Sequence, residues 1–102
     1  MKKKGKREWS VYMLRCGDGS YYTGIAKDVN ERIKKHSAGK GAAYTRTHLP
    51  VELIWKKSRF TRSGALIREA RIKSLPRLRK GIMVGDTFRG PQTSKRARRN
   101  LQ

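Results

Sequence analysis

Acidic side chains are scarce in this 102-residue chain: seven Asp and Glu stand against 27 Lys and Arg, a formal net charge of +20 at pH 7. A chain so charged repels itself unless salt or a polyanion screens it, so nucleic acid is the first partner to expect. An anionic membrane surface ranks behind it. The sequence has neither a long basic amphipathic helix nor an apolar span, and no membrane partner is expected. Cysteine is nearly absent too. Cys16 stands alone, which rules out a disulfide framework or a clustered-thiol metal site and leaves it as a small buried strand residue. No P-loop, zinc-ligand spacing or Ser-His-Asp arrangement is present. The basic start "MKKKGKRE" is not followed by the apolar stretch of a secretory signal, so the expected compartment is the cytoplasm.

The length allows one domain, with about 80 residues available for a thin core, so a site would be a groove rather than a deep cavity. The expected division is a basic arm over 1–8, a folded domain over 9–82 and a basic, mobile tail over 83–102. From about Asp86 onward there is too little apolar material to pack.

Residues 9–16, "WSVYMLRC", alternate as a strand, with Trp9, Val11 and Met13 on one face and Tyr12 and Leu14 on the other. "GDG" at 17–19 is a turn and "SYYTGI" at 20–25 the returning strand. Turn length decides which side chains share a face. A three-residue loop pairs Cys16 with Ser20, sets Tyr12 opposite Gly24 and points Tyr12 and Tyr22 the same way. A two-residue Asp18-Gly19 loop puts them on opposite faces. The spacing permits either.

Asp28 with Glu31 three residues later forms a capping-box pattern that starts a helix to about His36. Val29 and Ile33 form its buried stripe, and Arg32 and His36 fall one turn apart along the edge. "SAGKGAAYTRTHLP" at 37–50 reads as a Gly-rich basic loop in which Lys40, Tyr44, Arg46 and His48 suit phosphate contacts and base stacking. "PVELIWKK" at 50–57 gives a third strand with Val51, Leu53 and Trp55 inward. Thr61 or Ser63 starts a helix through "ALIREARIKSL", and Pro76 opens a short one, "PRLRKGI".

Glu69 is the odd residue of that longer helix, between Leu66 and Ala70 on one side and Ala65 and Ile72 on the other. An ionised carboxylate on an apolar face costs free energy unless it is paired or binds a metal. Two readings stay open: an ion pair with Arg62, Arg68 or Lys73, or a ligand for a hard cation such as Mg²⁺. The tyrosines, Arg32 and His36 could equally be packing and surface groups, and Gly24 a strand end or bulge.

Together these positions resemble the GIY-YIG endonuclease family. Ser10-Val11-Tyr12 stands for the first half-motif and Tyr22-Thr23-Gly24 for the second. Arg32 follows Tyr22 by ten residues, His36 follows Arg32 by four, and Glu69 lies on the later helix. The runs "YMLRCGDGSYYTGIAKDVNERIKKH" and "GKGAAYTR" are most similar to small stand-alone bacterial members, themselves similar to the catalytic subunit of structure-selective endonucleases that cut branched DNA.

The resemblance implies a mixed α/β domain of the α+β kind, a small three-stranded antiparallel sheet flanked by helices, with the two tyrosines on one face. It implies hydrolysis of phosphodiester bonds in branched or single-stranded DNA, rather than RNA, with a role in repair or recombination. Tyr12 or Tyr22 would be the general base, Arg32 the clamp on phosphate charge, and His36 a positioning group. Glu69 would hold one divalent metal, Mg²⁺ or Mn²⁺. Gly24, Lys27, Lys40, Tyr44 and Arg46 would face nucleic acid. Two positions depart from the family pattern. Ile25 stands where many members have Lys, with Lys27 as a stand-in, and the only Asn residues are Asn30 and Asn100, so none follows the Glu helix closely. These departures favour two alternatives: a partner protein that completes the activity, or a nucleic-acid-binding module that keeps the fold without turnover.

Whichever holds, binding to nucleic acid should weaken steeply with salt, with a log–log slope of about −0.9 for each phosphate neutralised. A binding constant that stays level between roughly 50 and 200 mM salt would remove the polyanion from consideration.

Overall fold

The computed structural model of the chain describes residues 6–85. Its elements run β1 (Trp9–Cys16), β2 (Tyr21–Ala26), α1 (Val29–Ser37), α2 (Ala43–Arg46), β3 (Val51–Phe60), α3 (Arg62–Lys73) and α4 (Arg77–Val84). The three strands form one antiparallel sheet in the order β2-β1-β3. This is the expected three-stranded sheet flanked by helices.

β1 is central because its side chains suit burial on both faces. Val11 and Met13 pack with Ala65 and Ile72 of α3, with Trp9, Met83 and Val84 around them. Tyr12 and Leu14 pack on the other face with Ala26, Val29 and Ile33. All four of these β1 residues are fully buried, and so is most of Cys16, whose thiol pKa burial pushes up.

The β1–β2 loop is the three-residue one. The Cys16 amide donates to the Ser20 carbonyl at 2.8 Å, and the Gly19 amide to the Cys16 carbonyl at 2.9 Å. Gly19 takes φ 86°, the left-handed conformation that closes such loops and that glycine adopts without steric cost. Tyr12 therefore faces Gly24 and Leu14 faces Tyr22, so both tyrosines lie on the α1 side.

The β3 expectation needs correction. Leu14 pairs with Leu53 but Met13 pairs with Trp55, so Ile54 is an extra residue in the ladder. This bulge reverses the alternation: Val51 and Leu53 pack on the Tyr12 face, whereas Ile54 and Trp55 pack on the Val11 face. Beyond Lys57 the strand continues to Phe60 through a second irregularity, where Arg59 takes φ 74°.

The helix starts follow the caps read from sequence. The Asp28 carboxylate accepts from the Glu31 amide at 3.1 Å, and the Thr61 hydroxyl from the Gly64 amide at 3.0 Å. Pro76 caps α4, which Gly85 ends at φ 73°. Two boundaries move. The 37–50 segment, expected as loop throughout, holds the helical turn α2. Met83 and Val84, expected in the tail, complete α4 and pack against the core. Residues 86–102 of the tail, and 1–5 of the basic arm, lie outside the described residues.

A β-carbon built on Gly24 would meet the Tyr12 hydroxyl oxygen at 2.6 Å and its ring carbon Cζ at 2.8 Å. Gly24→Ala should displace the Tyr12 ring and destabilise the fold by on the order of 1–3 kcal/mol. Urea denaturation reads this directly; a midpoint matching the parent protein would mean the ring is free to move.

Candidate active site

Tyr12, Tyr22, Arg32 and His36 come from β1, β2 and α1, and the fold brings them together. The Tyr12 ring lies across Gly24 of the edge strand, which provides the clearance, and its hydroxyl reaches His36 Nε2 at 2.9 Å. His36 is buried at the end of α1, one turn beyond Arg32 as expected. Tyr22 sets its ring edgewise to His36, with centroids 5.2 Å apart, and lies 6.4 Å from Tyr12.

The proton positions follow from the partners of His36. The imidazole Nδ1 is 2.7 Å from Thr45 Oγ1, and that hydroxyl donates its proton to the Ala42 carbonyl at 3.0 Å. A hydroxyl has one proton to give. With that proton given to the Ala42 carbonyl, Thr45 Oγ1 can only accept from His36, the arrangement in which Nδ1 carries the hydrogen and Nε2 a lone pair. In that arrangement the Tyr12 hydroxyl donates to Nε2, and its oxygen accepts from Arg32.

The local field keeps this arrangement neutral. Burial, then the neighbouring Tyr22, pushes the Tyr12 pKa up to about 12; the Arg32 charge and hydrogen bonding oppose the rise, and Glu69 adds to it. Burial, with Arg32 second, pushes the His36 pKa down. Near neutral pH the pair is thus phenol and uncharged imidazole.

Glu69 reaches this centre through its field, from the α3 side. It sits at the margin of the apolar stripe, not within it: Ala65 and Ile72 are buried, whereas Leu66 and Ala70 are exposed. Its side chain is 18 % exposed and pairs with Lys73 at 3.2 Å, one of the partners expected for it. Among the described residues no three His, Cys, Asp or Glu side chains gather into a metal-holding group.

The expected nucleic-acid contacts divide. Gly24 is buried beneath Tyr12, so it supplies room for the ring and presents no surface. Lys27 is exposed, pairs with Glu8 at 3.3 Å and lies 5.6 Å from the Trp9 ring centroid. It lines a hollow of about 260 Å³ with Trp9, Asp28, Glu31, Arg32 and Lys35, so the hollow shares Arg32 with the Tyr12–His36 cluster. Lys40 and Arg46 are exposed around α2.

Tyr44 stacks with Tyr22, 6.3 Å away at 18°, and with His48, 4.1 Å away at 7°. Its hydroxyl donates to Ser20 Oγ, which donates to Asp18 Oδ1 at 2.6 Å, and Asp18 lies 3.6 Å from His48. The Ser20 hydroxyl and amide hold the Asp18 carboxyl below the usual carboxylate range. Those bonds tie the 37–50 segment to the β1–β2 turn.

Three contributors escaped sequence reasoning: Thr45, fully buried against His36; Gly41, where a β-carbon would collide with His36 Nδ1; and Ser20, the link between Tyr44 and Asp18. Gly41 and Ser20 lie in loops and Thr45 in the single helical turn α2, too short for face or periodicity to mark a partner.

Comparison with known proteins agrees with this geometry. The sequence model of the GIY-YIG catalytic domain matches residues 8–81. The UPF0213 protein SERP0126 of Staphylococcus epidermidis is 51 % identical over 74 residues, 72 % of this chain and 90 % of that protein. The solution structure of the UPF0213 protein BH0048 from Bacillus halodurans is similar at 42 % identity and a TM-score of 0.50, covering 78 % of this chain and 84 % of that one. That of EF2693 from E. faecalis is similar at 35 % identity and a TM-score of 0.53, covering 84 % and 90 %. The chain belongs to the GIY-YIG family of nuclease domains, which it matches over residues 8–81.

Proposed function

We propose that this protein is a metal-dependent endonuclease that hydrolyses phosphodiester bonds in branched or single-stranded DNA, in repair or recombination. The observation that carries the reading is the buried Tyr12–His36 hydrogen bond beside Arg32. A phenol with a pKa near 12 is a poor base alone, but one whose own proton already points at a neutral imidazole can pass a proton on. Tyr12 is closed to solvent at rest, so the step requires substrate binding to admit water to the phenolic oxygen. That water then gives its proton to Tyr12 as the Tyr12 proton moves to His36 Nε2. The resulting hydroxide oxygen attacks phosphorus, the bond to the leaving oxygen breaks, and that oxygen takes a proton from solvent, to which His36 gives up its extra proton as Tyr12 and His36 return to their starting states. Arg32 neutralises charge on the non-bridging oxygens as it builds.

A divalent cation fits Glu69 in a limited way. A single carboxylate is no cage, but Mg²⁺ keeps several waters and accepts substrate phosphate oxygens in its shell. Glu69 would hold it, once the Lys73 ammonium moves aside. Such an ion supplies positive charge to phosphoryl and leaving oxygens. The exposed aromatic group of Tyr44 and its stacked neighbour His48 suits unpaired bases at a branch or a single strand, and Lys27, Lys40 and Arg46 suit its backbone.

The Glu69–Lys73 ion pair favours a second reading, a nucleic-acid-binding module without turnover, because the carboxylate is already neutralised from within. A cleavage panel of flap, fork, junction and single-stranded DNAs, with and without Mg²⁺ or Mn²⁺, separates the two. Under the nuclease reading Glu69→Gln lowers cleavage by about a hundredfold or more while binding stays level; undiminished cutting removes Glu69 from the mechanism. If the unaltered protein binds every DNA and cuts none, the second reading stands.

The pH dependence has a worked sign. His36 must be unprotonated to accept, and its pKa is lowered, so the competent form persists below the ordinary imidazole value of about 6.5. Cleavage at constant salt should rise with pH through an inflection below that value and then stay flat, because Tyr12 ionises only near 12. An inflection above pH 7 would contradict His36 as the acceptor.

A further inference from the structure

We propose that Thr45 is a positioning residue, whose hydroxyl holds His36 in the Nδ1–H tautomer and so makes Nε2 the acceptor for Tyr12. Burial and geometry support it. Thr45 and His36 are both buried, at 0 % and 1 % exposure, so water does not compete for their bond. The Thr45 proton is committed to the Ala42 carbonyl, within the turn that α2 makes. Its lone pairs therefore face Nδ1 at 2.7 Å and require a hydrogen there. Gly41 closes the ring's other contact, since any β-carbon would strike Nδ1 and come within 2.9 Å of Cγ and Cε1. The 37–50 segment is thus a socket that fixes the orientation of the imidazole and the nitrogen that carries its proton.

The opposite tautomer would disable the chain of bonds. With hydrogen on Nε2, the Tyr12 hydroxyl would have to turn its proton away and accept from His36, and the phenol could no longer pass a proton inward. During turnover His36 gains a second hydrogen at Nε2 while keeping that at Nδ1, and the bond to Thr45 becomes charge-assisted without moving an atom. Thr45 touches neither water nor phosphate in this scheme. It acts through His36.

The inference rests on the nuclease reading for its kinetic part only. The tautomer is measured on the free full-length chain, by the nitrogen chemical shifts of His36 at neutral pH. The expected result is a protonated-type Nδ1 and an unprotonated-type Nε2. In Thr45→Val, which keeps the shape and removes the acceptor, the two signals should move toward each other as tautomers mix. Thr45→Ser should restore the parent pattern. On a DNA that the parent protein cuts, Thr45→Val should lower kcat at least roughly tenfold with KM level, and Thr45→Ser should recover it. A parent protein with hydrogen on Nε2 overturns the inference, whether or not Thr45→Val folds. So does a Thr45→Val protein with unchanged nitrogen shifts, or a Thr45→Ser protein as impaired as Thr45→Val. Parent protein that cuts nothing on the panel, yet gives the expected shifts, refutes the nuclease reading and leaves Thr45's positioning role standing.

Discussion

Tyr12 belongs to the central strand and is wholly buried, yet its hydroxyl has to meet groups from α1. The missing side chain at Gly24 reconciles these demands. β2 is one strand away from β1 and lies at the sheet edge, and the Tyr12 ring passes over its glycine toward His36. The hairpin register that sets Tyr12 against Gly24 also sets Tyr22 on the same face, where its edge meets His36. α1 then needs only its cap at Asp28 and its apolar contacts at Val29 and Ile33 to bring Arg32 and His36 over the phenol. Each member of the cluster is placed by ordinary sheet and helix packing, and the one special requirement is empty space.

The electrostatics use the scarcity of acid. In a chain of charge +20, a phenol might be expected to ionise readily beside cations. Burial prevails: it outweighs Arg32 and holds Tyr12 protonated, while the same burial, assisted by Arg32, keeps His36 uncharged. A proton donor and a proton acceptor thus coexist 2.9 Å apart without exchanging charge at rest. Glu69 is paired with Lys73 at the margin of the apolar stripe of α3, which offsets the cost of leaving a carboxylate largely shielded.

Much of the fold was legible because local rules and global packing agree in β1, the Asp28 cap and the Thr61 cap. The faces of β1 follow from alternation, and α1 from its capping box and apolar spacing. Alternation failed in β3 because a bulge at Ile54 is a property of pairing, invisible in one strand read alone. The choice of hairpin loop could not be made from spacing, since both loop lengths are compatible with Gly17-Asp18-Gly19; the family pattern of paired tyrosines broke the tie. In the site, Tyr12, Tyr22, Arg32, His36 and Glu69 stand out as a group only through their match to the family pattern. Thr45 does not, because a polar residue in a basic, Gly-rich stretch looks solvated until α2 turns it inward against His36.

The three-residue turn after Cys16 has a consequence for how this chain can change. Surface hairpin turns are ordinarily where a protein tolerates an added or lost residue. Here a one-residue change at 17–19 would exchange the faces of β2, sending Tyr22 and the open space of Gly24 to the α3 side and driving a side chain into the path of the Tyr12 ring. Length at this tip is therefore part of the site's specification.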